Sequence, residues 1–226
     1  FSYSVAHDLR SALKNIKALS DHLGSFASLR GDEEERDISQ RINKGSSRLI
    51  GLVDDLLRFA RTDTQKVQCK QVDIGTLAEE CLHDMALGHD HVRFVLPEHQ
   101  VAVRADPSMV KVALNNLLAN AVKFTRLKDD ARVEVGYHTD EEGTIIWVKD
   151  NGVGFDNVKN EQVFGVFKRL HSTAQFEGTG IGLALVDRIM KKHGGTCWAE
   201  GVPNEGATFY LRFPGAAEDE EMRMAS

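Results

Sequence analysis

Asp150-Asn151-Gly152-Val153-Gly154-Phe155 ends a run of β-branched and aromatic residues, Thr144-Ile145-Ile146-Trp147-Val148-Lys149, that reads as a buried strand. An acidic residue at the end of such a strand, followed by two glycines two apart, suits close approach of backbone to a flat ligand. Glycine permits φ > 0 and removes the Cβ that would block that ligand. The carboxylate can accept hydrogen bonds from an exocyclic amine, and an amine at C6, where guanine has an oxygen, is how a protein could tell adenine from guanine. Alone, D-x-G-x-G is as well an ordinary turn. Its meaning comes from the segments around it.

Upstream, Asp106-Pro107-Ser108 is a good helix start, with proline at the first helical position. The helix it opens carries Val110, Leu114, Leu117, Leu118 and Ala121 on one stripe and runs to about Thr125. Asn116, Asn120 and Lys123 are spaced by a turn and share another face. The plainer reading is a solvated polar stripe. The chemical reading is that amide oxygens complete the octahedral shell of a Mg²⁺ held mainly by phosphates, while lysine meets a phosphate. Downstream, Glu177-Gly178-Thr179-Gly180-Ile181-Gly182-Leu183 opens a further helix, so its backbone N–H groups form an anion site. A dinucleotide-binding fold wants such glycines after the first strand of a βαβ unit, and here they follow a long loop. That loop, residues 156–177, holds Val163-Phe164-Gly165-Val166-Phe167, then Lys168 and Arg169. Its two phenylalanines suit either a lid with cations near phosphates or a surface amphipathic turn.

The N-terminal part is different in kind. Apolar residues fall at Val5, Leu9, Ala12, Ile16, Leu19, Leu23 and Phe26, in alternating steps of four and three. After Gly31-Asp32-Glu33-Glu34-Glu35 a second seam runs through Ile38, Ile42, Gly45, Leu49, Leu52, Leu56 and Phe59. Each is a heptad seam, and acidic residues favour the second helix's N-terminus. Two such helices cannot bury both apolar faces by pairing alone, so a homodimer forming a four-helix bundle is the simplest solution. In this register His7 points away from the seam, with Asp8 beside it and Ser11 one turn on. A lone surface histidine usually means nothing. Here a carboxylate adjacent to an exposed imidazole can hold one ring nitrogen as N–H and leave the other a free nucleophile.

The remaining segments alternate short strands and helices, with 92–96 and 101–105 read as a pair around Pro97, and with hairpin-like pairs at 132–137/144–149 and 197–200/208–213. The expected architecture is an N-terminal all-α helical hairpin over residues 1–61, a linker at 62–67, and an α/β two-layer sandwich over 68–214, with a disordered acidic tail at 215–226. The 226 residues have a net charge of −6 and no Lys/Arg block, which argues against nucleic acid or anionic membrane as the main partner. No apolar run reaches membrane-span length, and Cys69, Cys81 and Cys197 suggest neither disulfide nor metal spacing, so a reducing cytoplasm is the natural setting. The chain begins inside a helical pattern and reads as a fragment. His83, His89, His91 and His99 have no ligand spacing.

Taken together the motifs resemble the catalytic core of a two-component sensor histidine kinase, a dimerisation and histidine-phosphotransfer hairpin followed by a GHKL (Bergerat) ATP-binding domain. The family's H box resembles Ser4–Leu13, its N box Asn116–Phe124, its two glycine boxes Asp150–Phe155 and Gly178–Leu183, and its F box Val163–Phe167. The lead-in Phe1-Ser2-Tyr3-Ser4-Val5 is similar to soluble, phytochrome-like kinases. The resemblance implies that His7 is the phosphoacceptor and Asp8 the base orienting it, and that Asn120 ligates Mg²⁺ with Asn116 and Lys123 beside the phosphates. It further implies that Asp150 receives the adenine amine, that Gly152, Gly154, Gly178, Gly180 and Gly182, with Thr179, Ile181 and Leu183 between and after them, shape the nucleotide pocket, and that Lys168 and Arg169 lie near phosphates. ATP and Mg²⁺ would be required. The partners would be a second copy, a response-regulator receiver domain whose aspartate takes the phosphoryl group, and an upstream sensor.

Ser11-Ala12 stands where the family commonly has Thr-Pro, and the absence of proline predicts a straighter helix. Ser11 keeps a hydroxyl for phosphatase action on the partner. Two rivals remain: an ATP-hydrolysing switch and a kinase-inactive dimeric scaffold. The ATPases of this fold place a glutamate where Asn116 stands, and an amide is a poor base.

Overall fold

The computed structural model describes residues 2–86, 91–97, 99–156, 163–168 and 176–215, without the side chains of residues 2–5, 7, 8, 84 and 86. The chain divides into two compact units, residues 1–64 with 177–181, and residues 65–176 with 182–226.

The first unit is a helical hairpin, α1 (Ser2–Arg30) and α2 (Glu33–Thr64). Gly31 turns the chain at φ +73°, and Asp32 caps α2 by accepting from the Glu35 N–H at 3.0 Å. α1 is one unbroken helix through Ser11-Ala12, in keeping with the missing proline. The residues buried between the helices are small and partly polar: Ser20, Ala27, Ser39 and Ser46, with Leu57 and Thr62 further along α2. Ser20 donates its hydroxyl to the Ser39 carbonyl at 2.5 Å, and Ser39 donates its own to the Ser20 carbonyl. Gly24 leaves room for this exchange, since a Cβ there would sit 2.6 Å from Ser39 Oγ. Nearer the start, Arg10 Nε donates to Asp54 at 2.6 Å. The heptad stripes lie elsewhere. Leu9, Ile16, Leu19, Leu23 and Phe26 on α1, with Ile38, Ile42, Leu49 and Leu56 on α2, are exposed in the single chain, Leu19 by 70% and Phe26 by 59%.

The expected boundary at residue 61 falls inside α2, which continues to Thr64 because Thr62 is buried and its hydroxyl bonds back to the Arg58 carbonyl at 2.9 Å. Residues 65–67 of the expected linker, with Gln68 after them, are strapped onto the second unit. Lys192 Nζ donates to the Gln65 carbonyl at 2.8 Å, and the Gln68 N–H donates to Asp106 at 3.0 Å.

The second unit contains β1 (Lys70–Asp73), α3 (Ile74–Ala86), β2 (Arg93–Val95), β3 (Ala102–Ala105), α4 (Pro107–Thr125), β4 (Arg132–Asp140), β5 (Gly143–Asp150), α5 (Gly182–Lys192), β6 (Thr196–Val202) and β7 (Gly206–Pro214). Five strands form one sheet in the order β2-β4-β5-β7-β6, and β1 pairs with β3 apart from it. The expected pairing of 92–96 with 101–105 is therefore wrong. β2 runs parallel to β4, Phe94 opposite Val133, while β3 runs antiparallel to β1, Val103 opposite Val72. Pro97, with no N–H to donate, sits in the connection and not in a ladder. The two expected hairpins at 132–150 and 196–214 are present and longer than expected.

Alternation sets the layers. Ile146 and Val148 on β5, with Phe209, Leu211 and Phe213 on β7, are buried toward the helices, whereas Trp147 and Tyr210 are half-buried on the opposite face. There the Trp147 indole covers Gly136, and Trp198 stacks on Tyr210 at 4.8 Å. α4 is the central helix of the other layer. Val110, Ala113, Leu114, Leu117, Leu118 and Ala121 are buried on it at three- and four-residue steps, each large side chain contributing about 1.5–3 kcal/mol. Asp106 caps it, accepting from the N–H groups of Ser108 (3.0 Å) and Met109 (3.2 Å). The buried His193, just past α5, accepts from the Asp106 N–H at Nε2 (3.0 Å), with Nδ1 turned to the Ile189 carbonyl (2.7 Å). One imidazole thus ties the end of α5 to the start of α4, and the polar face of α4 is held in a fixed place relative to the sheet.

Candidate functional site

Asp150 ends β5 at the edge of the core, 3% exposed. Its Oδ1 accepts from the Gly152 N–H at 2.9 Å, and the Ala207 backbone also bonds the carboxylate. Burial pushes its pKa up to about 6, against these two N–H groups, which pull it down. The unfolded carboxyl titrates near 3.8, so between there and about pH 6 the folded state holds the proton more tightly. Stability from this residue is full below the lower value and is lost as pH rises through the upper one, by about 3 kcal/mol in all. Asp150→Asn is expected to remove that part of the slope, read as urea midpoints between about pH 4 and about pH 7.

The glycines that follow are packed against the chain's own backbone. A Cβ on Gly152 would sit 2.5 Å from the Phe124 carbonyl oxygen and 2.8 Å from Asp150 Oδ1. Gly154, at φ +59°, would press a Cβ onto the Val202 carbonyl and to 2.7 Å from the Gly206 oxygen. Both glycines admit other parts of the same backbone. The segment is bolted on three sides: Val153 N–H to Phe124 O (3.3 Å), Asn204 N–H to Val153 O (2.7 Å), and Asn151, whose side chain accepts from Arg132 N–H (2.8 Å) and donates to Asp130 O (2.9 Å). The Asp150 carboxylate is thereby fixed against the end of α4.

On α4, Asn116, Asn120 and Lys123 are half-buried on one face, as their spacing requires. Lys123 Nζ donates to Asn120 Oδ1 at 3.0 Å, so the ammonium and the amide oxygen share one locus. Asn116 Nδ2 donates to the Val112 carbonyl at 2.8 Å, which turns Oδ1 outward. A Cβ on Gly182 would sit 2.5 Å from that oxygen, so glycine at the first residue of α5 lets the Asn116 amide keep this position. Asp150, the first glycine segment, Asn116, Asn120, Lys123, Gly182 and Leu183 are thus assembled in one unit. An amide oxygen, an ammonium and a buried carboxylate suit a phosphate-bound divalent ion and a purine amine. The single amide oxygen of Asn120 would hold such an ion only with most ligands coming from elsewhere.

The second glycine segment is divided. Gly182 and Leu183 belong to that unit, and residues 178–181 to the first. There Thr179 donates its hydroxyl to Asp55 at 2.6 Å and Glu177 lies 3.3 Å from Lys44, with Gly178 and Gly180 at φ +155° and +76°. His7 and Asp8 lie on the helical backbone of α1, and their side chains fall outside the described residues. Ser11 is exposed one turn on. Lys168 is exposed, whereas Arg169, His89 and the tail from residue 216 fall outside the described residues. Gly215 donates its N–H to the Glu142 carbonyl at 3.1 Å. Of the two loop phenylalanines, Phe164 meets Phe209 edge-on at 6.5 Å, while Phe167 is 57% exposed at φ +61°.

Sequence reasoning missed an aromatic group at the end of α4. Phe176 is 3% exposed and packs edge-on against Phe124, ring centroids 5.0 Å apart. Lys123 Nζ lies 4.3 Å from the Phe124 centroid, and the Arg126 guanidinium 4.8 Å from that of Phe176. Phe176 lies in the loop with no periodicity to flag it. Its only sequence signal was an aromatic residue just before the glycines. Among the described residues no cluster of three metal-ligating side chains occurs, and no helix is long and apolar enough to cross a membrane.

Comparison with known proteins bears on all of this. Residues 1–65 match the His Kinase A (phospho-acceptor) domain, and residues 105–217 match the histidine kinase-, DNA gyrase B- and HSP90-like ATPase family. The phytochrome-like protein Cph1 of Synechocystis is 31% identical over 95% of this chain and 29% of its own length. The sensor histidine kinase WalK of Bacillus subtilis is 28% identical over 98% of this chain and 37% of its own. The chain thus spans about a third of the length of these relatives. In fold it is similar to full-length ShkA, solved with AMPPNP, at a TM-score of 0.68 and 24% identity, over 94% of this chain and 45% of that one. With a phospho-acceptor hairpin at one end and an ATPase sandwich carrying Asp150, Asn116, Asn120 and Lys123 at the other, the chain belongs to the sensor histidine kinases.

Proposed function

We propose that this chain transfers the γ-phosphoryl group of ATP to His7 and passes it on to an aspartate of a response-regulator receiver domain. The observation that carries the reading is the set of three polar side chains on one face of α4, in the same unit as the buried Asp150 carboxylate, joined to a hairpin whose H box places a carboxylate beside a histidine. Asp8 holds one imidazole nitrogen as N–H. The other attacks the γ-phosphorus in line as the bond to the β,γ-bridging oxygen breaks, and ADP leaves with that electron pair. Asp150 accepts from the adenine amine. Lys123, with Asn116 beside it, meets the phosphates, and Lys168 and Arg169 add charge from the lid. The N–H groups of residues 178–183 cradle the triphosphate. Asn120 contributes an oxygen to Mg²⁺, which neutralises charge on the β- and γ-phosphates when bound.

The exposed stripes of α1 and α2 support a homodimer through the hairpin, because contiguous apolar faces of this size mark an interaction site. Ser11 carries a hydroxyl on the His7 side of α1 and suits a water-directing role in phosphatase action on the regulator. A sensor upstream and a cytoplasmic location complete the proposal.

The test is incubation with γ-labelled ATP and Mg²⁺. Phosphohistidine is labile to acid and stable to base, so protein-bound label with that stability is the expected result. Label stable to acid, or release of free phosphate with no labelled protein, would overturn it.

A further inference from the structure

Phe176 and Gly182, the two second-unit residues that flank residues 177–181, are both fixed against α4. The upstream point is Phe176, buried edge-on against Phe124 with the Arg126 guanidinium on its face. The downstream point is Gly182, pressed against Asn116 Oδ1. Asn116 and Phe124 are eight positions apart on one helix, about 12 Å along its axis. The ends of the glycine segment are therefore spaced by a rigid rod, whatever its middle touches. Only the downstream anchor belongs to the glycine motif itself.

We propose that Phe176 is a positioning residue for the nucleotide's phosphates, acting as an aromatic clamp that sets where the second glycine segment starts. This rests on the nucleotide-binding reading above. Several features of the cluster favour a clamp over plain core packing. The Phe124–Phe176 pair sits at the extreme end of α4, and each ring has a cation over it, Lys123 on one and Arg126 on the other. Lys123 is also bonded to Asn120, so the ring pair, the ammonium and the amide oxygen form one connected group. Gly152 and Val153 dock on the carbonyl of Phe124 itself. One short stretch of helix thus holds both the Asp150 segment and Phe176, the residue just before the glycine segment.

A clamp of this kind acts on phosphates and not on the base. In Phe176→Leu, which keeps apolar volume but loses the ring, ATP binding is expected to weaken about five- to tenfold, while adenosine binding changes less than about twofold. Phe176→Tyr, which restores the ring, is expected to return ATP binding to within about twofold of the parent. Binding is measured calorimetrically with ATP and with adenosine, and thermal melting checks that each variant is folded. Equal weakening toward both ligands, or none, overturns the clamp and leaves the nucleotide reading standing. A parent chain that binds neither ligand overturns both. Should Phe176→Leu not fold, Arg126→Ala removes an exposed cation from the face of the ring. It is expected to weaken ATP about two- to threefold and to spare adenosine, and an unchanged ATP affinity then overturns the clamp.

Discussion

With His7 replaced by glutamine, label transferred from γ-labelled ATP is expected to fall by at least about a hundredfold, while ATP affinity stays within about twofold of the parent. Glutamine keeps the helix propensity and a polar tip, so α1 should be undisturbed. What it lacks is a nitrogen lone pair: an amide nitrogen is conjugated with its carbonyl and is a poor nucleophile. His7 has no part in the nucleotide reading: Asp150, Asn116, Asn120 and Lys123 belong to the other unit, and residues 178–181 contribute only backbone N–H groups. The two measurements therefore separate the proposals. Label that survives the substitution places the acceptor elsewhere. Hydrolysis without label at any stage points to the ATPase switch, and an inert chain points to the scaffold. Nucleotide affinity lost along with label would indicate an effect on folding, which melting of the variant detects.

Gly154→Ala is expected to destabilise the ATP-binding unit by roughly 2–5 kcal/mol, the sum of a left-handed backbone penalty and overpacking against main chain. The neighbour is the Val202 carbonyl, part of the β6–β7 turn, and that turn is pinned by the Asn204 N–H to Val153 O bond at 2.7 Å. Neither side can give without breaking that bond or shifting β7, whose residue Ala207 pairs with Asp150. Both tryptophans, Trp147 and Trp198, lie in this unit, so urea unfolding followed by tryptophan fluorescence reports it directly. A loss below about 1 kcal/mol would show that the turn relaxes and that close packing is not why glycine stands there.

The chemistry of the site was easier to read in the sequence than its mechanics. Asn116, Asn120 and Lys123 could be placed on one face because helical spacing is a local property. Asp106 was legible as the start of α4 for the same reason. The purpose of Gly152 and Gly154 was not legible. The surfaces they approach, Phe124 O and Val202 O, are distant in sequence, and glycine looks alike whether it admits a ligand or a carbonyl. The same distance explains β2. Its partner β4 is reached only across α4, whereas Pro97 made the nearer pairing attractive. In the hairpin the apolar periodicity marked the stripes of Leu9 through Phe26 and Ile38 through Leu56, which the single chain leaves exposed. The contact between the two helices is built from Ser20, Ser39, Gly24 and Ala27, which a search for apolar residues passes over.

That serine exchange has a mechanical consequence. For α1 to ratchet one turn along α2, the buried Ser20 and Ser39 hydroxyls would have to leave each other's carbonyls, at about 1–3 kcal/mol for each stranded group. Longitudinal slip between the two arms is thereby resisted. A push or torque applied at the Ser2 end travels to the Gly31 bend as movement of a single lever.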